Sequence, residues 1–454
     1  MALTRGQRAG WGLADMGIVV FVMVKQLLVL DFLTNYLGVP VHIAGFVTTG
    51  ILIFDIITDP LIGYFSDRTQ SRFGRRAPWI AVGAVVLVAG MVGMFAAPAA
   101  PEAGAWVGPV TWLDGFFILA TIGFTMAAIP YSATAGEMTQ DPAERSRMLA
   151  WRMVFASLGI LIGGGLVPLL AGGTREGHLS AMLMMAPVVL LSIWASLYFT
   201  RNAPRVSAAT SLTPARMVRL VVSNRPFIVL VILYGLLSLA IAQITAGLPF
   251  AARYLVSDGA SSPAGMAGIA GGLPILTLLF APFVLGAMGS QPLWAMLSIR
   301  LSKLTAIVLG VAFYGCVLFG LWLALPSENL AIMMGLMGLA GVANGAYQAI
   351  PWAMYPDLMD VTRAQSGEAI EGGFSAVWLF GQKVANALAP ALLSGVIAAR
   401  GWRETTQGTT EQTPEALLAL QVAMTLVPMG LLLLAILGFL FLYRPLAGQV
   451  LARV

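Results

Sequence analysis

The stretch FDIITDP, residues 54–60, lies inside an apolar run that extends from about residue 43 to residue 65. A helix of about 20 apolar residues crosses the hydrocarbon core of a bilayer, so this run predicts a transmembrane helix. Asp55 and Asp59 are four residues apart and therefore share one face of that helix. Two carboxylates at this depth are costly unless a cation, a proton or a basic side chain neutralises them. This acid pair, Asp55 and Asp59, therefore predicts a cation site within the membrane.

The rest of the chain is also strongly apolar. Its 454 residues are 59% hydrophobic and 10% charged, whereas soluble domains carry about 25% charged residues. No basic cluster with interleaved aromatic residues accompanies the net charge of +5, which excludes a nucleic-acid-binding protein. The single cysteine, Cys316, excludes a disulfide framework and a thiolate metal site. The first apolar run, which starts at Trp11, is too long for a cleavable signal peptide. We therefore expect an all-α membrane protein.

Twelve apolar runs of about 20 residues follow one another along the chain. The longest polar connection, residues 201–225, divides them into six and six. We therefore expect an N-terminal six-helix bundle over residues 1–200 that holds the cation site, a cytoplasmic linker over 201–225, and a C-terminal six-helix bundle over 226–454. The predicted spans are 11–37, 43–65, 79–98, 112–136, 148–170, 181–200, 226–251, 265–289, 305–325, 330–355, 373–398 and 417–443.

The distribution of lysine and arginine predicts the orientation. With the N-terminus in the cytoplasm, most of the 25 basic residues fall in cytoplasmic loops and termini, as the positive-inside rule requires. Lys25, Arg152 and Lys383 are exceptions that lie in or near predicted spans. We expect an integral multi-pass protein of the plasma membrane, specifically a bacterial inner membrane, with both termini in the cytoplasm.

The two halves of the chain share a short sequence. Residues 128–131 read AIPY in the fourth predicted span, and residues 349–352 read AIPW in the tenth. Both tetrapeptides therefore fall in the fourth helix of their half, which supports an internal repeat. Two six-helix repeats predict a solute site near the midplane between the halves and transport by alternating access. Because one chain supplies the whole pathway, we expect a functional monomer.

The loop between the second and third spans, residues 63–79, reads GYFSDRTQSRFGRRAPW. Positive-inside charge alone accounts for its arginines. It does not account for Gly63, Asp67 and Gly74, which are placed where tight turns are expected. The loop therefore carries a more specific pattern than a basic cytoplasmic segment does.

With DxxxDP at residues 55–60, the pattern DRTxSRFGRRxPW at 67–79 resembles the signature of the glycoside–pentoside–hexuronide:cation symporters. That family belongs to the major facilitator superfamily. The resemblance implies the major facilitator fold, with twelve transmembrane helices in two pseudo-symmetric six-helix bundles, and it implies cation-coupled symport. It continues in both halves, at Pro130-Tyr131, Glu144-Arg145, Arg152, Pro356-Asp357, Glu371-Gly372 and Lys383.

The cation site is predicted around the acid pair. Thr58 and, from the neighbouring fourth span, Thr125 add hydroxyl oxygens, and such hard ligands suit Na⁺. A shared proton would also relieve the repulsion, and a nearby base without any transported ion is the structural alternative. The resemblance implies that Asp55 and Asp59 are the coupling-cation carboxylates and that Thr125 is a further ligand. The family often has Asn where this chain has Thr58, which leaves Na⁺, Li⁺ and H⁺ open.

The solute is less defined than the ion. Sugar-transporting proteins that this chain resembles bind sugar hydroxyls through one aspartate in the first span and one in the fourth. The resemblance puts Val19 and Ala128 at those positions, and it puts Gln348 where a sugar-stacking aromatic residue is expected. A site without its acceptors loses discrimination for hydroxyls. Either a different sugar or glycoside is held by other groups, or the solute is amphipathic or anionic, such as a lysolipid, since animal lysolipid symporters have a similar pattern.

Basic and amide side chains within the spans are candidates for the solute cavity. Lys25 lies near the middle of the first span, and it is expected either to pair with the acid pair or to contact an anionic head group. Asp15, toward one end of that span, is expected at the membrane interface. The resemblance implies that Arg152 and Lys383 line the cavity or link it to the cation site. The predicted cavity residues are Lys25, Gln26, Arg152, Gln348 and Lys383.

The resemblance also implies that residues 67–76 form part of a gate on the cytoplasmic side. When the gate closes, this loop is expected to pair with Glu137, Asp141 or Glu144. Such partly exposed pairs contribute about 0–1 kcal/mol each, so they can be broken during transport. The residues assigned to the gate are Asp67, Arg68, Arg72, Arg75, Arg76, Glu137, Glu144 and Arg145.

The sequence therefore predicts a symporter that couples the transport of a small solute to Na⁺ or H⁺. The expected solute is a sugar, a glycoside or a related compound. No nucleotide-binding loop is present, so an ion gradient is the expected energy source, and no cofactor is expected. An enzyme is not expected, because no metal cluster or Ser/Lys dyad appears at membrane depth. A non-transporting sensor or scaffold is the alternative from another class. Val19 and Ala128 would fit it, but the buried charges argue against it.

Overall fold

In the computed structural model, the described residues are 3–99, 104–139, 141–203, 214–257, 275–366 and 371–451. Within these ranges, 12 helical segments are long and apolar enough to cross a membrane, which confirms the predicted number of spans. The chain is an all-α integral membrane protein. The spans are Arg5–Asn35, Val41–Arg68, Ala77–Phe95, Val107–Met138, Arg147–Ala171, Arg175–Thr200, Arg225–Tyr254, Ile275–Leu301, Lys303–Ala324, Leu330–Thr362, Gly373–Ala398 and Pro414–Gly448.

Several spans consist of more than one helix, because short breaks and π-helical turns interrupt them. The π-helical turns are Ile162–Leu166 and Gly438–Tyr443. The helices are α1 Arg5–Leu27, α2 Val29–Asn35, α3 Val41–Arg68, α4 Ala77–Phe95, α5 Val107–Met138, α6 Pro142–Leu161, α7 Val167–Ala171, α8 Arg175–Thr200, α9 Pro214–Ser223, α10 Arg225–Tyr254, α11 Ile275–Leu301, α12 Lys303–Ala324, α13 Leu330–Ser366, α14 Glu371–Ala398, α15 Pro414–Met424, α16 Leu426–Leu437 and α17 Arg444–Leu451.

The eighth span differs most from its prediction. It was expected over residues 265–289, but helix α11 extends to Leu301 and contains Pro292. Proline is tolerated inside a transmembrane helix because neighbouring helices and local adjustments satisfy the freed backbone groups. The predicted start at residue 265 lies outside the described residues. The helix continues through Gln291 and Pro292, although a polar residue followed by proline is typical of a helix end in a soluble protein.

The chain forms two compact units. The first comprises Met1–Ala208 together with Trp402–Gln412, and the second comprises Ala209–Gly401 together with Thr413–Val454. The segment 402–412 joins the last two spans, yet its backbone bonds to the first unit: the amide of Thr405 donates to the carbonyl of Thr34 at 3.2 Å. The boundaries predicted at 201–225 remain a prediction, and residues 204–213 of that linker lie outside the described residues.

In the first unit, helix α1 packs along α6 and α8, while α5 packs against α3 and α4. Glycines allow α1 to come close to its neighbours. A Cβ atom on Gly12 would lie 2.8 Å from the backbone nitrogen of Arg152 in α6, and one on Gly17 would lie 2.8 Å from the carbonyl oxygen of Val189 in α8. Such close approach of small residues is typical of membrane helix packing. It brings the polar residues of α1 within reach of α6.

In the second unit, α10 packs against α14, and α13 packs against α11 and α12. Aromatic rings fill the contact between α10 and α14. Tyr234 stacks on Trp378 with the ring centroids 4.2 Å apart, and both side chains are fully buried. The hydroxyl group of Tyr347 on α13 lies 2.9 Å from that of Ser238 on α10. This cluster combines ring stacking with hydroxyl contacts.

Candidate functional site

Three helices of the first unit meet at Asp55. The residue lies on α3 and is 3% exposed. From α5, the hydroxyl group of Thr125 donates a hydrogen bond to Oδ1 of Asp55 at 2.8 Å. From α1, Nζ of Lys25 lies 3.5 Å from Oδ2 of the same carboxylate. Both oxygens of this buried carboxylate therefore contact a polar partner from another helix.

The other residues predicted for the cation site follow Asp55 on α3. The hydroxyl group of Thr58 donates to the backbone carbonyl of Asp55 at 3.0 Å, so its proton is used locally while its oxygen can still accept. Asp59 lies one turn after Asp55, and both Asp59 and Thr58 are half-buried. We call Asp55, Thr58, Asp59 and Thr125 the carboxylate cluster. Its carboxylate and hydroxyl oxygens are of the kind that binds Na⁺.

Lys25 is held at the cluster by more than charge. Its side chain is 7% exposed. The ammonium group lies 4.4 Å from the centre of the Phe124 ring and 5.6 Å from that of Phe21. A cation–π contact contributes about 2 kcal/mol when the cation is desolvated, as the buried Lys25 is. Of the two alternatives for Lys25, the geometry agrees with the one in which it pairs with the acid pair.

Arg152 and Asp15 form a second ion pair in the first unit, in which Asp15 is buried and Arg152 is half-buried. Nε of Arg152 lies 3.1 Å from Oδ2 of Asp15. Asp15, which the sequence predicts at the membrane interface, is 3% exposed and packs inside the bundle. The reason is the close approach of α6 at Gly12, which brings a basic side chain to a carboxylate that would otherwise need water. The guanidinium group also lies 5.8 Å from the ring of Tyr131.

The loop predicted to act as a gate is fastened to the end of α5. Nε of Arg75 donates to Glu137 at 2.9 Å, and Nε of Arg76 lies 2.8 Å from the same carboxylate. Arg76 also contacts Asp67 at 2.9 Å, so it joins both ends of the loop. The indole nitrogen of Trp79 donates to the hydroxyl group of Thr69 at 2.7 Å. The structure therefore brings Arg75, Arg76 and Glu137 together, and their role as a gate stays a prediction.

The remaining gate residues have other contacts. Glu144 pairs with Arg8 at 2.8 Å and with Arg147 at 2.7 Å, rather than with the loop. Arg145 donates to the carbonyl of Thr139 at 3.4 Å. Arg68 and Arg72 each lie over a neighbouring ring, that of Tyr64 at 3.5 Å and that of Phe73 at 4.7 Å.

The residues predicted for the solute cavity are divided between the units. Gln26, Lys25 and Arg152 belong to the first, where Gln26 is half-buried on α1. Gln348 and Lys383 belong to the second and are half-buried on α13 and α14. The side chain of Gln348 accepts a hydrogen bond from Nε2 of Gln291 on α11 at 3.1 Å.

Two polar contacts of the second unit were missed by sequence reasoning. Lys303 at the start of α12 contacts Asp357 at 2.7 Å and the carbonyl of Ala353 at 2.8 Å. Gln382 donates to the hydroxyl group of Tyr347 at 3.2 Å. The internal repeat could have predicted the first contact. Asp357 follows residues 349–352 as Glu137 follows residues 128–131, so a basic partner for Asp357 could be expected where the first unit has Arg75 and Arg76.

Comparison with known proteins places this geometry in context. A model of the family described as MFS/sugar transport protein matches residues 10–444. The putative glycoside/cation symporter YagG of Escherichia coli (strain K12) is 23% identical, over 94% of this chain and 90% of that protein. The sodium-dependent lysophosphatidylcholine symporter 1 of Gallus gallus is 23% identical, over 85% of this chain and 76% of that protein.

Solved structures share the fold. One is the crystal structure of a bacterial homologue of the human lysosomal transporter Spinster, in an inward-facing and unoccupied conformation. Its TM-score against this chain is 0.63 and its sequence identity is 14%. The aligned region covers 98% of this chain and 96% of the homologue. The fold of this chain is therefore one that membrane transporters use.

Proposed function

Because the chain belongs to the family of MFS/sugar transport proteins, we propose that it couples the entry of Na⁺ or H⁺ to the uptake of a small solute by alternating access. One observation carries this proposal. Asp55 is buried at the middle of a transmembrane helix and contacts both a hydroxyl group and an ammonium group. A buried carboxylate is expensive to maintain, and within a membrane it is retained chiefly for function. The similarity to a protein named as a putative glycoside/cation symporter, YagG, supports coupling to a cation.

In this proposal, the coupling ion competes with Lys25 for Asp55. Removing the partner of a buried charge costs about 3–5 kcal/mol. Lys25 can therefore leave Oδ2 of Asp55 only when another positive charge arrives at the carboxylate cluster. The faces of Phe124 and Phe21 lie close enough to keep the displaced ammonium group stabilised. The ion-free and ion-bound states would thus differ in the position of one side chain that connects α1 to α3.

We propose a sugar or glycoside as the solute. Lys25 and Arg152, two basic residues expected in the cavity, each pair with a carboxylate. Less positive charge is then available for an anionic head group than the sequence alone suggested. Amide and hydroxyl groups such as Gln291, Gln348 and Tyr347 suit a hydroxylated neutral solute better.

An amphipathic solute is the second candidate. Val19 and Ala128 stand where sugar-binding aspartates were expected, which removes two hydroxyl acceptors. The similarity to a lysophosphatidylcholine symporter covers 85% of this chain, so the likeness is not confined to one helix. A zwitterionic lysolipid needs less net charge in the cavity than an anionic one does.

We further propose that the protein works as a monomer in a bacterial inner membrane, with both termini in the cytoplasm. Family membership indicates a transporter, and we propose no catalytic activity and no cofactor for it. The distribution of lysine and arginine supports the orientation.

Uptake into proteoliposomes tests the proposal. A Na⁺ gradient and a proton gradient are imposed separately, and glycosides and lysophosphatidylcholine are offered as labelled solutes. Asp59→Asn leaves the pair of Asp55 and Lys25 intact, so the fold should persist while cation-driven accumulation is lost. Asp114→Asn is the matched control, because Asp114 also lies on a spanning helix, about three turns before Thr125 on α5. Normal accumulation by Asp59→Asn would contradict the assignment of the cation site.

A further inference from the structure

A cavity of about 790 Å³ lies in the first unit, away from the carboxylate cluster. It is formed where the gate loop, the first turn of α4 and the last turn of α8 meet, and the proposed transport function assigns no ligand to it. Both helices are candidate membrane spans that begin or end here, Ala77–Phe95 and Arg175–Thr200. The cavity is therefore placed at the level where the hydrocarbon core gives way to lipid head groups.

The charged residues that line this cavity are all basic. Arg72 stands at the loop and Arg201 at the end of α8, and both are exposed. No acidic residue is among those that line the cavity. Within the described part of the chain, no carboxylate lies at ion-pair distance from either guanidinium group. Each instead lies over an aromatic ring, that of Phe73 at 4.7 Å and that of Tyr198 at 4.2 Å. The cavity therefore favours an anion.

The backbone adds to the positive potential. Helix α4 begins at Ala77, and no side chain caps its N-terminus. Ala77 and Pro78, the first two residues of α4, line the cavity together with the two arginines. Pro78 has no N–H, so the amide of Ala77 is the backbone donor that these two residues offer. A helix N-terminus carries a partial positive charge and unsatisfied N–H groups, both of which favour phosphate.

Apart from Thr200, the remaining walls are formed by glycine, apolar and aromatic residues. Ala81 and Leu197 continue the cavity along the two helices toward the membrane. Phe73 and Tyr198 are 61% and 58% exposed, and tyrosine is enriched at the level of lipid head groups. The indole of Trp194 donates to the carbonyl of Ala81 at 3.2 Å and so fixes α8 to α4 on this side. A ligand that fits both ends of the cavity must be charged at one end and apolar at the other.

We propose that this cavity binds an anionic phospholipid, with the phosphate between Arg72 and Arg201 and an acyl chain along Ala81 and Leu197. Basic pockets between transmembrane helices bind such head groups through charge-assisted hydrogen bonds. The lipid would also steady the loop, since Arg75 and Arg76, which hold Glu137, follow Arg72 within the same turn region. The proposal needs only that the chain spans a membrane, and not that it transports a solute.

Lipid retention by the purified full-length protein in detergent tests the proposal. Phosphatidylglycerol, phosphatidylcholine and phosphatidylethanolamine with the same acyl chains are titrated, and bound lipid is counted by native mass spectrometry with the thermal midpoint as a second readout. Phosphatidylglycerol should be retained most strongly and should raise the midpoint. The double variant Arg72→Gln/Arg201→Gln should weaken its binding about tenfold or more, since each interfacial arginine contributes about 1 kcal/mol.

Three controls keep the result interpretable. Arg300→Gln removes an exposed arginine from the last turn of another spanning helix that does not line this cavity, and it should leave lipid binding unchanged. Arg72→Lys/Arg201→Lys should recover most of the binding and so exclude misfolding as the cause. Inorganic phosphate should not reproduce the effect of the lipid. Equal retention of phosphatidylcholine, an unaffected double variant, or equal stabilisation by phosphate would overturn the proposal.

Discussion

Each unit contains two neighbouring helices joined by an ion pair, and the two ion pairs lie at equivalent positions of the internal repeat. In the first unit, the start of α4 is tied to the end of α5 by Arg76 and Glu137 at 2.8 Å. In the second, the start of α12 is tied to α13 by Lys303 and Asp357 at 2.7 Å. The acidic partner follows the related tetrapeptides of residues 128–131 and 349–352. The internal repeat therefore extends from short sequence matches to side-chain contacts.

The helix before each pair differs. Helix α3 precedes the first pair and carries Asp55 and Asp59, whereas α11 precedes the second and contains no acidic residue. The repeat thus preserves the contact that fixes two helices and not the buried charge. On the proposed function, ion binding would be concentrated in the first unit, while the second supplies amide, hydroxyl and aromatic groups. Substitutions in the two units should therefore have unequal effects.

The largest effect is expected at Lys25. Lys25→Met leaves Asp55 as a buried carboxylate without its ammonium partner, which should lower the stability by about 3–5 kcal/mol in a Na⁺-free buffer. Adding Na⁺ should recover much of the loss, because a bound cation replaces the lysine. The measurement is the thermal midpoint in detergent as a function of Na⁺ concentration. The wild-type midpoint should rise less with Na⁺, since its carboxylate is already neutralised.

A double variant controls this experiment. Lys25→Met/Asp55→Asn removes both charges, so its stability should return toward that of the wild type and should not respond to Na⁺. If Lys25→Met alone were as stable as the wild type without Na⁺, the ion pair would not stabilise the fold, and the competition between Lys25 and the coupling ion would be refuted.

A smaller effect should separate the two helix ties. Glu137 accepts from two arginines and its side chain is 13% exposed, whereas those of Lys303 and Asp357 are 37% and 43% exposed. Glu137→Gln should therefore lower the stability by about 1–3 kcal/mol, as expected for lost hydrogen bonds to charged groups. Asp357→Asn should change it by about 0–1 kcal/mol. Equal losses in thermal denaturation of the two variants would mean that the ties are equivalent and that burial does not distinguish them.

The sequence predicted the spans well because the apolar run length is a direct consequence of bilayer thickness. The twelve segments and the all-α class follow from it. It could not predict the break at Leu28 between α1 and α2, or the continuation of α11 through Pro292, because both depend on which neighbouring helix satisfies the freed backbone groups. The attachment of residues 402–412 to the first unit is likewise a long-range contact with no local signal.

The part of the site that depends on local spacing was also predictable from the sequence. The spacing of Asp55 and Asp59 is local, and the proximity of Thr125 was expected from the neighbouring fourth span. The pair of Arg152 and Asp15 was not predicted, because hydropathy gives depth in the membrane and not the direction of a side chain. Gly12 held the missing information, since a glycine in a spanning helix can indicate close approach by another helix.

The smallest effect, and the sharpest test of the first unit, is expected at Thr125. Thr125→Val keeps the shape of the side chain but removes the hydrogen bond to Oδ1 of Asp55, worth about 1 kcal/mol. Cation affinity should fall about fivefold in a Na⁺ titration of thermal stability, because the carboxylate loses both its orientation and one neighbouring ligand.

Thr121→Val is the matched control: this residue lies one turn earlier on α5, is fully buried, and its hydroxyl group has no hydrogen-bond partner in the described part of the chain. Its substitution should leave cation affinity unchanged and stability equal or slightly higher. Identical effects of the two substitutions would mean that α5 contributes packing and not a ligand, and the ion would then be held by the oxygens of α3 alone.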